Sequence, residues 1–429
     1  MSRQLVWPLP LICLTVLLVA CGGSGDGDAT ATLPPAPTQE PATSTLASTA
    51  PSTSPTGAAT ATAPEAITAP TIAGTFPEPV SGTVLYRANP QRTALYEVEP
   101  VREVPVVRWQ VEVGETVNSP LLAGEVLFVA TNSGNLLAFD AASGDELWTI
   151  DLGSPVIGAF AYADGTLFIG TRGLGLLAVD TADGTILWSS EVRGSVWGEP
   201  LVDDGGVYFL SSSGIHALEA ETGAERWRVE LGRQNLYAPG AIADDVLYIG
   251  AGGTLYALDP ATGAELWTAE GEGWCRPTVV DGVVFAGDIA GTFHAFDAAS
   301  GEELWVFEHD ASVVDEVYWT GAAVWEDTLV IGNIDTFVYA LDRASGELRW
   351  QFAAGDWATA DPVIADGIAY FAIGNHDDET DQLPFYALEV ATGEELWSFT
   401  TDGLVVEAAA LADGVIYLPT GTGVIYALE

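Results

Sequence analysis

The chain contains no lysine, and its cations are few. Its thirteen arginines, from Arg3 to Arg349, stand against 60 aspartate and glutamate residues, which gives a formal net charge of −47 at pH 7. A surface this negative repels phosphate backbones and anionic lipid headgroups. The composition therefore argues against nucleic-acid binding and against electrostatic docking on a membrane, and it favours a soluble, carboxylate-rich exterior.

Cysteine is also scarce, and familiar catalytic motifs are missing. The three cysteines are Cys13, Cys21 and Cys275. Two of them lie in the first 21 residues, so the rest of the chain keeps one and cannot form an internal disulfide. No Cys/His cluster has the spacing of a metal site. No GxSxG sequence and no phosphate-binding glycine loop occurs.

The N-terminus reads MSRQLVWPLPLICLTVLLVAC, one arginine followed by an apolar run too short for a spanning helix. This pattern predicts a secretory signal peptide over residues 1–20. The segment Leu18–Cys21 resembles the lipobox of bacterial lipoproteins. That resemblance implies cleavage before Cys21 and a diacylglyceryl thioether on its sulfur, which would hold the protein on the extracytoplasmic side of a membrane. The alternative is an ordinary secretory peptide that is removed without lipidation.

Residues 21–78 consist mainly of Gly, Ser, Ala, Thr and Pro, with few large apolar residues. Such a stretch cannot bury enough surface to fold, so it is predicted to be a disordered tether. A flexible coil of this length would span on the order of 40 Å. The folded domain is therefore expected over residues 79–429.

A thirteen-residue motif recurs about every forty residues, as LYALDPATGAELW at 255–267 and FYALEVATGEELW at 385–397. Alternation of apolar and polar residues between successive motifs predicts four short strands per unit, A to D, joined by tight Gly-containing turns. Four-stranded units of this length indicate a β-propeller.

The motif has a structural explanation. Ala257 is small and lets strand C pack closely, Asp259 can accept hydrogen bonds from the turn backbone, and Gly263 supplies a positive φ. The final tryptophan offers a flat surface that can wedge between blades. A residue with the same role eight times is architecture rather than a substrate site. The eight blade-docking residues are Trp109, Trp148, Trp188, Trp227, Trp267, Trp305, Trp350 and Trp397.

The two ends of the repeat region predict how the ring closes. The chain ends on VIYALE, a strand C without a strand D, whereas Trp109 lies in a strand D without a complete A–B–C before it. Residues 403–429 and the Trp109 strand are therefore expected to share one blade, which removes the last open sheet edge. The prediction is an all-β, eight-bladed β-propeller of four-stranded antiparallel blades, in which an N-terminal outer strand completes the C-terminal blade.

The AxDxxTGxxxW pattern resembles the tryptophan-docking repeat of PQQ-like β-propellers over nearly all of residues 80–429. LYRANPQRTALY at 85–96 resembles the lead-in segment of secreted members. The family includes quinoprotein dehydrogenases, sensor modules and BamB-type lipoproteins of outer-membrane assembly. A lipidated single-domain propeller is most similar to the BamB type, which implies a non-enzymatic scaffold for protein partners. The long tether and the acidity depart from that type and favour a cell-surface relative.

Residues that break the repeat are the candidates for function. When each strand A is aligned on its proline, aromatic residues fall at one register in four successive units, where they are expected to line the central channel. These are Trp197, Tyr237, Trp274 and Trp319, and Trp357 is a further unrepeated tryptophan. The charged residues expected beside them are Glu199, Arg276, Asp315, Glu316, Asp361 and Glu407. They form either a binding surface for a peptide, sugar or cofactor, or filler between the blades.

An insertion, GNHDDETDQLP at 374–384, lies in the longest interval between motif tryptophans. Asp377, Glu379 and Asp381 alternate as carboxylates do in calcium loops, although the glycine and terminal glutamate of an EF-hand are missing. A solvated acidic loop is the alternative.

Three functions remain open. The first is a non-catalytic, lipid-anchored and monomeric propeller that binds protein or envelope glycan. The second is a quinoprotein oxidoreductase that holds PQQ and calcium, although such enzymes usually carry an adjacent Cys-Cys pair, which this chain lacks. The third is a polysaccharide-active propeller that uses paired channel carboxylates.

Overall fold

Thirty-five strands make up the regular structure of the computed structural model. It describes residues 71–72, 83–85, 87–156, 158–190, 192, 194–231, 239–271, 273–308, 319–358, 360–374, 383–405 and 408–429. Within these residues no helix has the length and apolar character of a membrane span.

Four strands precede the first complete blade. They are β1 (Thr71–Ile72), β2 (Thr83–Val84), β3 (Leu95–Tyr96) and β4 (Val107–Glu112). Blades 1 to 4 follow, each with its strands A to D in chain order. They are β5 (Leu121–Ala123), β6 (Val126–Ala130), β7 (Asn135–Asp140), β8 (Glu146–Asp151); β9 (Ala161–Ala163), β10 (Thr166–Gly170), β11 (Leu176–Asp180), β12 (Ile186–Ser189); β13 (Val196–Asp203), β14 (Gly206–Ser211), β15 (Gly214–Glu219), β16 (Glu225–Glu230); and β17 (Ala241–Ala243), β18 (Val246–Ala251), β19 (Thr254–Leu258), β20 (Glu265–Glu270).

Blades 5 to 8 repeat the pattern. Their strands are β21 (Thr278–Val280), β22 (Val283–Gly287), β23 (Thr292–Asp297), β24 (Glu303–Glu308); β25 (Ala323–Trp325), β26 (Thr328–Gly332), β27 (Phe337–Asp342), β28 (Leu348–Ala353); β29 (Val363–Ala365), β30 (Ile368–Ala372), β31 (Leu383–Glu389), β32 (Glu395–Thr401); and β33 (Ala410–Ala412), β34 (Val415–Pro419), β35 (Val424–Leu428). Blade 8 takes β4 as its fourth strand, in the order β33-β34-β35-β4. The predicted eight-bladed propeller and its closure are confirmed.

The motif tryptophans join neighbouring blades by hydrogen bonds. Trp227 Nε1 donates to the Pro260 carbonyl of blade 4 at 2.7 Å, and Trp267 Nε1 donates to Ala298 of blade 5 at 2.8 Å. Each motif alanine lies opposite the tryptophan of its own sheet, as Ala257 lies opposite Trp267. The small alanine therefore leaves space for the indole of the adjacent strand.

Trp397 of blade 7 docks on blade 8 in a different way. Strands C and D of blade 8 are β35 and β4, which are far apart in the chain, so no turn joins them. The Nε1 of Trp397 donates to the carbonyl of Val101 at 3.0 Å, so the N-terminal segment supplies the missing acceptor. The backbones of Val106 and Glu429 also exchange hydrogen bonds of 2.8 and 3.0 Å. Both ends of the repeat region thus meet in the same blade.

Residues 87–101 form a segment that we call the strap. It crosses the ring and accepts backbone N–H groups from successive blades. The donors are Ile242, Val279, Val324, Ile364 and Gly414, from blades 4 to 8 in order. These donors lie in strands A and in an A–B turn, so the strap lies on the face that carries the A–B turns, the strap face. The D–A and B–C connections lie on the opposite face, the loop face.

Two arrangements before residue 101 were not predicted. β1, inside the predicted tether, pairs with the outer strand β8 of blade 1, and β2 pairs with the inner strand β9 of blade 2. A strand pairing is therefore present before residue 79. The strap itself carries Arg87 and Arg92, each 1% exposed.

Candidate functional site

The channel wall carries charged side chains at one repeated position, directly before the proline of strand A. Blades 3, 5 and 7 supply Glu199, Arg276 and Asp361. Alternate blades of a ring face one another across part of its axis, so these three can meet although their blades are not adjacent. The other blades carry smaller side chains at this position, among them Ser119, Ala159, Gly321 and Ala408.

Arg276 bridges the two carboxylates. Its Nη2 lies 3.4 Å from Glu199 Oε1, and its Nη1 lies 3.5 Å from Asp361 Oδ1. Asp361 Oδ1 also accepts the backbone N–H of Gly321 at 2.8 Å. From the strap, Arg87 Nε approaches Asp361 Oδ2 at 3.7 Å. The structure therefore joins three predicted site residues and one residue of the strap in a single network, which we call the channel network.

The channel network is buried and electrically balanced. The side chains of Arg87 and Asp361 are 0% exposed, that of Glu199 is 1% exposed and that of Arg276 is 11% exposed. Two guanidinium groups offset two carboxylates, which is the condition under which charges are tolerated away from water. The exposed end of the network is Arg276.

The strap arginines are held by carbonyl groups as well. Arg87 Nη2 donates to the carbonyl of Ala322, and its Nη1 lies 3.4 Å from Thr278 Oγ1. Arg92 Nε donates to Gly240 at 3.2 Å. The two arginines therefore fix the strap against the inner strands. Sequence reasoning missed them, although two cations in an unrepeated segment of a cation-poor chain were a usable signal.

The carboxylate of Glu199 has a partner at only one of its two oxygens. Within the described chain, Glu199 Oε2 is buried and has no hydrogen-bond partner. Leaving a buried acceptor unsatisfied costs about 1–3 kcal/mol, and more for a charged group.

Two members of the predicted aromatic arc, Trp274 and Trp319, are buried. Trp274 is 6% exposed and packs edge-on against His294 and Phe296, with ring centroids 5.0 and 5.6 Å away. Trp319 is 0% exposed and contacts Phe293 and Phe307 in the same manner. Both indoles lie within hydrophobic clusters between blades. Their environment is therefore that of packing residues rather than of a ligand-binding surface.

The other aromatic candidates are placed differently. Trp197 lies in β13, where its backbone pairs with Leu210. Trp357 lies in the connection between β28 and β29, and its side chain is partly exposed. Its carbonyl accepts the Gly374 N–H at 2.9 Å, which places it on the loop face. The remaining predicted site residues lie outside the described residues: Cys21, Tyr237, Asp315, Glu316, Asp377, Glu379, Asp381 and Glu407.

A histidine cluster on blade 5 was not predicted. His294 Nδ1 lies 3.0 Å from Glu303 Oε2, and its Nε2 lies 3.7 Å from Asp288 Oδ2. Burial alone would lower the pKa of His294, but hydrogen bonds and charges from both carboxylates raise it above its ordinary value. The described residues contain no group of three or more acidic, histidine or cysteine side chains suited to a metal ion, this cluster included.

His216 occupies the same strand C position in blade 3 and behaves in the opposite way. Burial, together with the charge of Arg228, lowers the pKa of His216 to about 4. Its Nε2 lies 2.9 Å from Ser211 Oγ, a partner that carries no charge. The two carboxylate partners therefore raise the pKa of His294, whereas His216 has no carboxylate partner to offset its burial.

The channel residues do not fit the calcium ion expected of the quinoprotein alternative. Calcium is bound by six to eight oxygen ligands with uncompensated charge. Here the Oε1 of Glu199 and both oxygens of Asp361 already face guanidinium groups at 3.4–3.7 Å. A calcium ion would have to displace Arg276 to reach them, so the channel network does not suit calcium.

These features define a β-propeller with tryptophan-docked blades, one face crossed by a strap and a charge network on its axis. The chain belongs to the family described as outer membrane protein assembly factor BamB, whose model matches residues 41–149, 132–214, 211–374 and 338–429. No curated protein matches the chain.

Solved structures share the fold. BamB from Moraxella catarrhalis is 22% identical, with a TM-score of 0.61 over 76% of this chain and 98% of that one. A quinohemoprotein alcohol dehydrogenase from Comamonas testosteroni is 14% identical, with a TM-score of 0.65 over 80% of each chain. A europium-containing methanol dehydrogenase is 14% identical, with a TM-score of 0.63 over 78% of this chain and 88% of that one. At these identities the likeness concerns the fold alone.

Proposed function

We propose that the protein is a cell-envelope lipoprotein whose propeller is a non-catalytic scaffold for a protein partner, which docks on the loop face. Membership of the BamB family supports a scaffold. The observation that carries the choice of face is the strap, which covers the inner strands of blades 4 to 8 on the other side of the ring.

The connections on the loop face support this choice because they are the variable part of the repeat. Most B–C connections are short, such as residues 131–134 and 333–336, whereas the B–C connection of blade 7 is longer and spans residues 373–382. The longest D–A connection is 309–322. Binding residues are commonly carried by irregular loops on a rigid scaffold.

The anchor is consistent with this orientation. The segment after Cys21 leads to β1 and β2 and then into the strap, so the chain enters the ring from blades 1 and 2 and crosses the strap face. A lipid on Cys21 would tether the propeller through that side. The loop face would remain free for a partner.

The net charge indicates the chemistry of that partner. A chain with a charge of −47 attracts a basic surface, and such steering weakens as salt screens it. We therefore expect a partner with exposed Lys and Arg, and association that slows with added salt.

The test is capture of partners by the full chain from its own envelope. One variant replaces residues 373–382 with a connection as short as 333–336, and its matched control is Glu302→Gln on a C–D turn of the strap face. We expect salt-sensitive capture of barrel-assembly proteins by the wild type and the control, and its loss in the short-loop variant. Equal capture by all three proteins, or recovery of glycan alone, would contradict the proposal, as would dye reduction after addition of PQQ and calcium.

A further inference from the structure

We propose that the outer edge of blade 5 docks an extended segment of a partner protein, one that carries a basic residue followed by two alternating apolar residues. The docked segment would lie beside β24 (Glu303–Glu308) as a fifth strand of that blade. This contact is on the rim of the ring rather than on the loop face. It therefore goes beyond the proposed scaffold contact and does not depend on it.

Blade 1 shows how such an edge is covered. β1 pairs antiparallel with the outer strand β8, with Thr71 opposite Thr149 and Ile72 opposite Trp148. An extended piece of chain from outside the repeats thus serves as a fifth strand. In β8, Leu147 and Thr149 are only partly exposed, and Trp148 is 0% exposed.

β24 has the same place in blade 5, but its apolar residues are exposed. It is the last strand in the order β21-β22-β23-β24, and no strand of the described residues pairs with its outer side. An edge of this kind presents backbone N–H and C=O groups to any extended chain. Leu304 is 50% exposed and Val306 is 45% exposed. They flank Trp305 as Leu147 and Thr149 flank the tryptophan of β8.

The pair of apolar residues distinguishes blade 5 from the other blades. Residues directly before and after a motif tryptophan lie on the same face of the strand, and Val306 shares that face with His294 of β23. In every other blade at least one residue of this pair is polar. These pairs are Arg108 and Gln110, Leu147 and Thr149, Leu187 and Ser189, Arg226 and Arg228, Leu266 and Thr268, Arg349 and Gln351, and Leu396 and Ser398.

The bulge in β24 leaves room for pairing. The register with β23 shifts so that Leu304 is the extra residue. Blade 1 has the same shift between β7 and β8, yet β1 pairs with Trp148 and Thr149, which follow the extra residue there. The equivalent residues of β24 are Trp305 and Val306. A docked segment can therefore pair from the motif tryptophan onward.

The charges at this edge favour a basic segment over a second copy of the chain. Glu302, Glu303 and Glu308 are exposed, and Glu303 Oε2 lies 3.0 Å from His294 Nδ1. Two copies that paired edge to edge would bring such carboxylates together, and like charges on opposed strands are destabilising. A Lys or Arg opposite Glu308 is instead stabilising.

The order of the side chains defines the sequence of the segment. Leu304, Val306 and Glu308 alternate along one face of β24. A segment that runs antiparallel, as β1 does on β8, meets Glu308 first. It therefore reads basic-x-apolar-x-apolar from its N-terminus. The peptide TRTVTLT has this pattern, with threonine spacers that favour an extended chain.

The experiment is fluorescence anisotropy of labelled TRTVTLT, titrated with the full chain in detergent micelles at low salt. TETVTLT tests the charge. Two N-methylated forms test backbone pairing, one methylated on the threonines and the other on the residues between them, because alternate N–H groups of a strand point to opposite edges. APTIAGT, residues 69–75, represents the chain's own segment. Sedimentation of the protein alone measures self-association.

The variants are Val306→Glu and Glu308→Arg. Their matched controls are Thr268→Glu and Glu270→Arg, at the equivalent exposed positions of β20 in blade 4. All four side chains are exposed, and the melting temperature of each variant shows whether it is folded.

We expect TRTVTLT to bind the wild type and both controls at submillimolar concentration, and only one of its two methylated forms to bind. Val306→Glu should weaken binding about tenfold, and Glu308→Arg should weaken TRTVTLT and strengthen TETVTLT about fivefold each. Such an exchange of preference cannot come from misfolding.

Five results would overturn the proposal. They are no binding of TRTVTLT, equal binding of both methylated forms, equal losses in the blade 4 controls, tighter binding of APTIAGT than of TRTVTLT, and self-association that Val306→Glu removes. Protein capture through the loop face is measured separately, so failure at the blade 5 edge leaves the scaffold test intact.

Discussion

At the scale of single residues, the channel network concentrates charge in the interior of a protein that is otherwise poor in cations. Arg276 matters most, because two buried carboxylates depend on it. A buried charge that loses its partner is far more costly than an exposed one, since water cannot replace the missing interaction.

Arg276→Met is therefore expected to destabilise the fold by roughly 3–5 kcal/mol, measured as the free energy of unfolding in urea. The control Arg228→Met removes an exposed pair with Glu230 and should cost about 0–1 kcal/mol. The double variant Arg276→Met/Glu199→Met should recover part of the loss, because it removes an unpaired charge. Equal costs for Arg276→Met and Arg228→Met would refute the account of the network.

The two strand C histidines should respond oppositely to pH. His294 has a raised pKa in the folded protein, so its stabilising contribution is complete below about pH 6.5 and is lost as pH rises through the folded pKa. His216, with a pKa of about 4, stays neutral while the unfolded chain takes up a proton, so it costs stability as pH falls from about 6.5 towards 4.

Histidine ring NMR should resolve two separate titrations for these residues. In addition, His294→Gln should lose stability relative to wild type at pH 5.5 and approach it at pH 8.5. A His294 that titrates below His216 would show that Asp288 and Glu303 do not act as described.

At the scale of elements, every blade repeats one irregularity. Between strands C and D the register shifts directly after the motif alanine, as between Ala257 and Leu258. The extra residue on strand D precedes the tryptophan, and it is exposed in several blades, as with Leu266 at 53% and Leu304 at 50%. Such bulges bend and twist a strand, which makes the open outer edge a poorer template for aggregation.

The C–D turn glycines also have a role that their neighbours explain. A Cβ on Gly263, where φ is 71°, would lie 2.6 Å from Cε3 of Trp227. Gly282 has a similar φ of 74°, but a Cβ added there would have no atom within 4 Å. Gly263 is therefore required both for its positive φ and to leave room for the docked indole of Trp227. Gly282 is required for its positive φ alone.

Gly282→Ala should cost about 1–2 kcal/mol for the left-handed conformation. Gly263→Ala should cost about 1–3 kcal/mol more, because the indole must move. Thermal unfolding measures both. If the two variants melt at the same temperature, the glycine does not serve tryptophan docking.

The strands could be predicted from the sequence because each lies in a repeat with its own turn residues, and the closure followed from an unmatched C strand and an unmatched Trp109. The strap could not be predicted in this way. Its hydrogen bonds are made by backbone carbonyls to blades far along the chain, and the partner of Arg87 is Asp361. No local periodicity encodes such contacts.

The channel residues were partly accessible to sequence reasoning. Alignment on the strand A proline brought out Glu199, Arg276 and Asp361, since they break an otherwise small and uncharged position. The same alignment treated Trp274 and Trp319 as equal candidates. Their burial depends on contacts with side chains of other strands, among them Phe293, Phe296 and Phe307. The sequence pattern alone does not show these contacts.

At the scale of the whole molecule, anchoring and folding are expected to be separable. Cys21→Ser should release the protein from the membrane fraction, because one thioether carries the proposed lipid, and it should leave the melting temperature unchanged, because Cys21 precedes the propeller. Fractionation of cells and thermal unfolding of the released protein check both statements. Retention of the variant in the membrane would show that another feature holds the protein there.

The pairing of β4 with β35 imposes an order on biosynthesis. A ribosome completes Val107–Glu112 long before it reaches Val424–Leu428, so the first outer strand stays without its neighbour until that later segment has been made. Seven blades can assemble as they emerge, but the eighth cannot. The ring therefore stays an open arc until Val424–Leu428 has been synthesised.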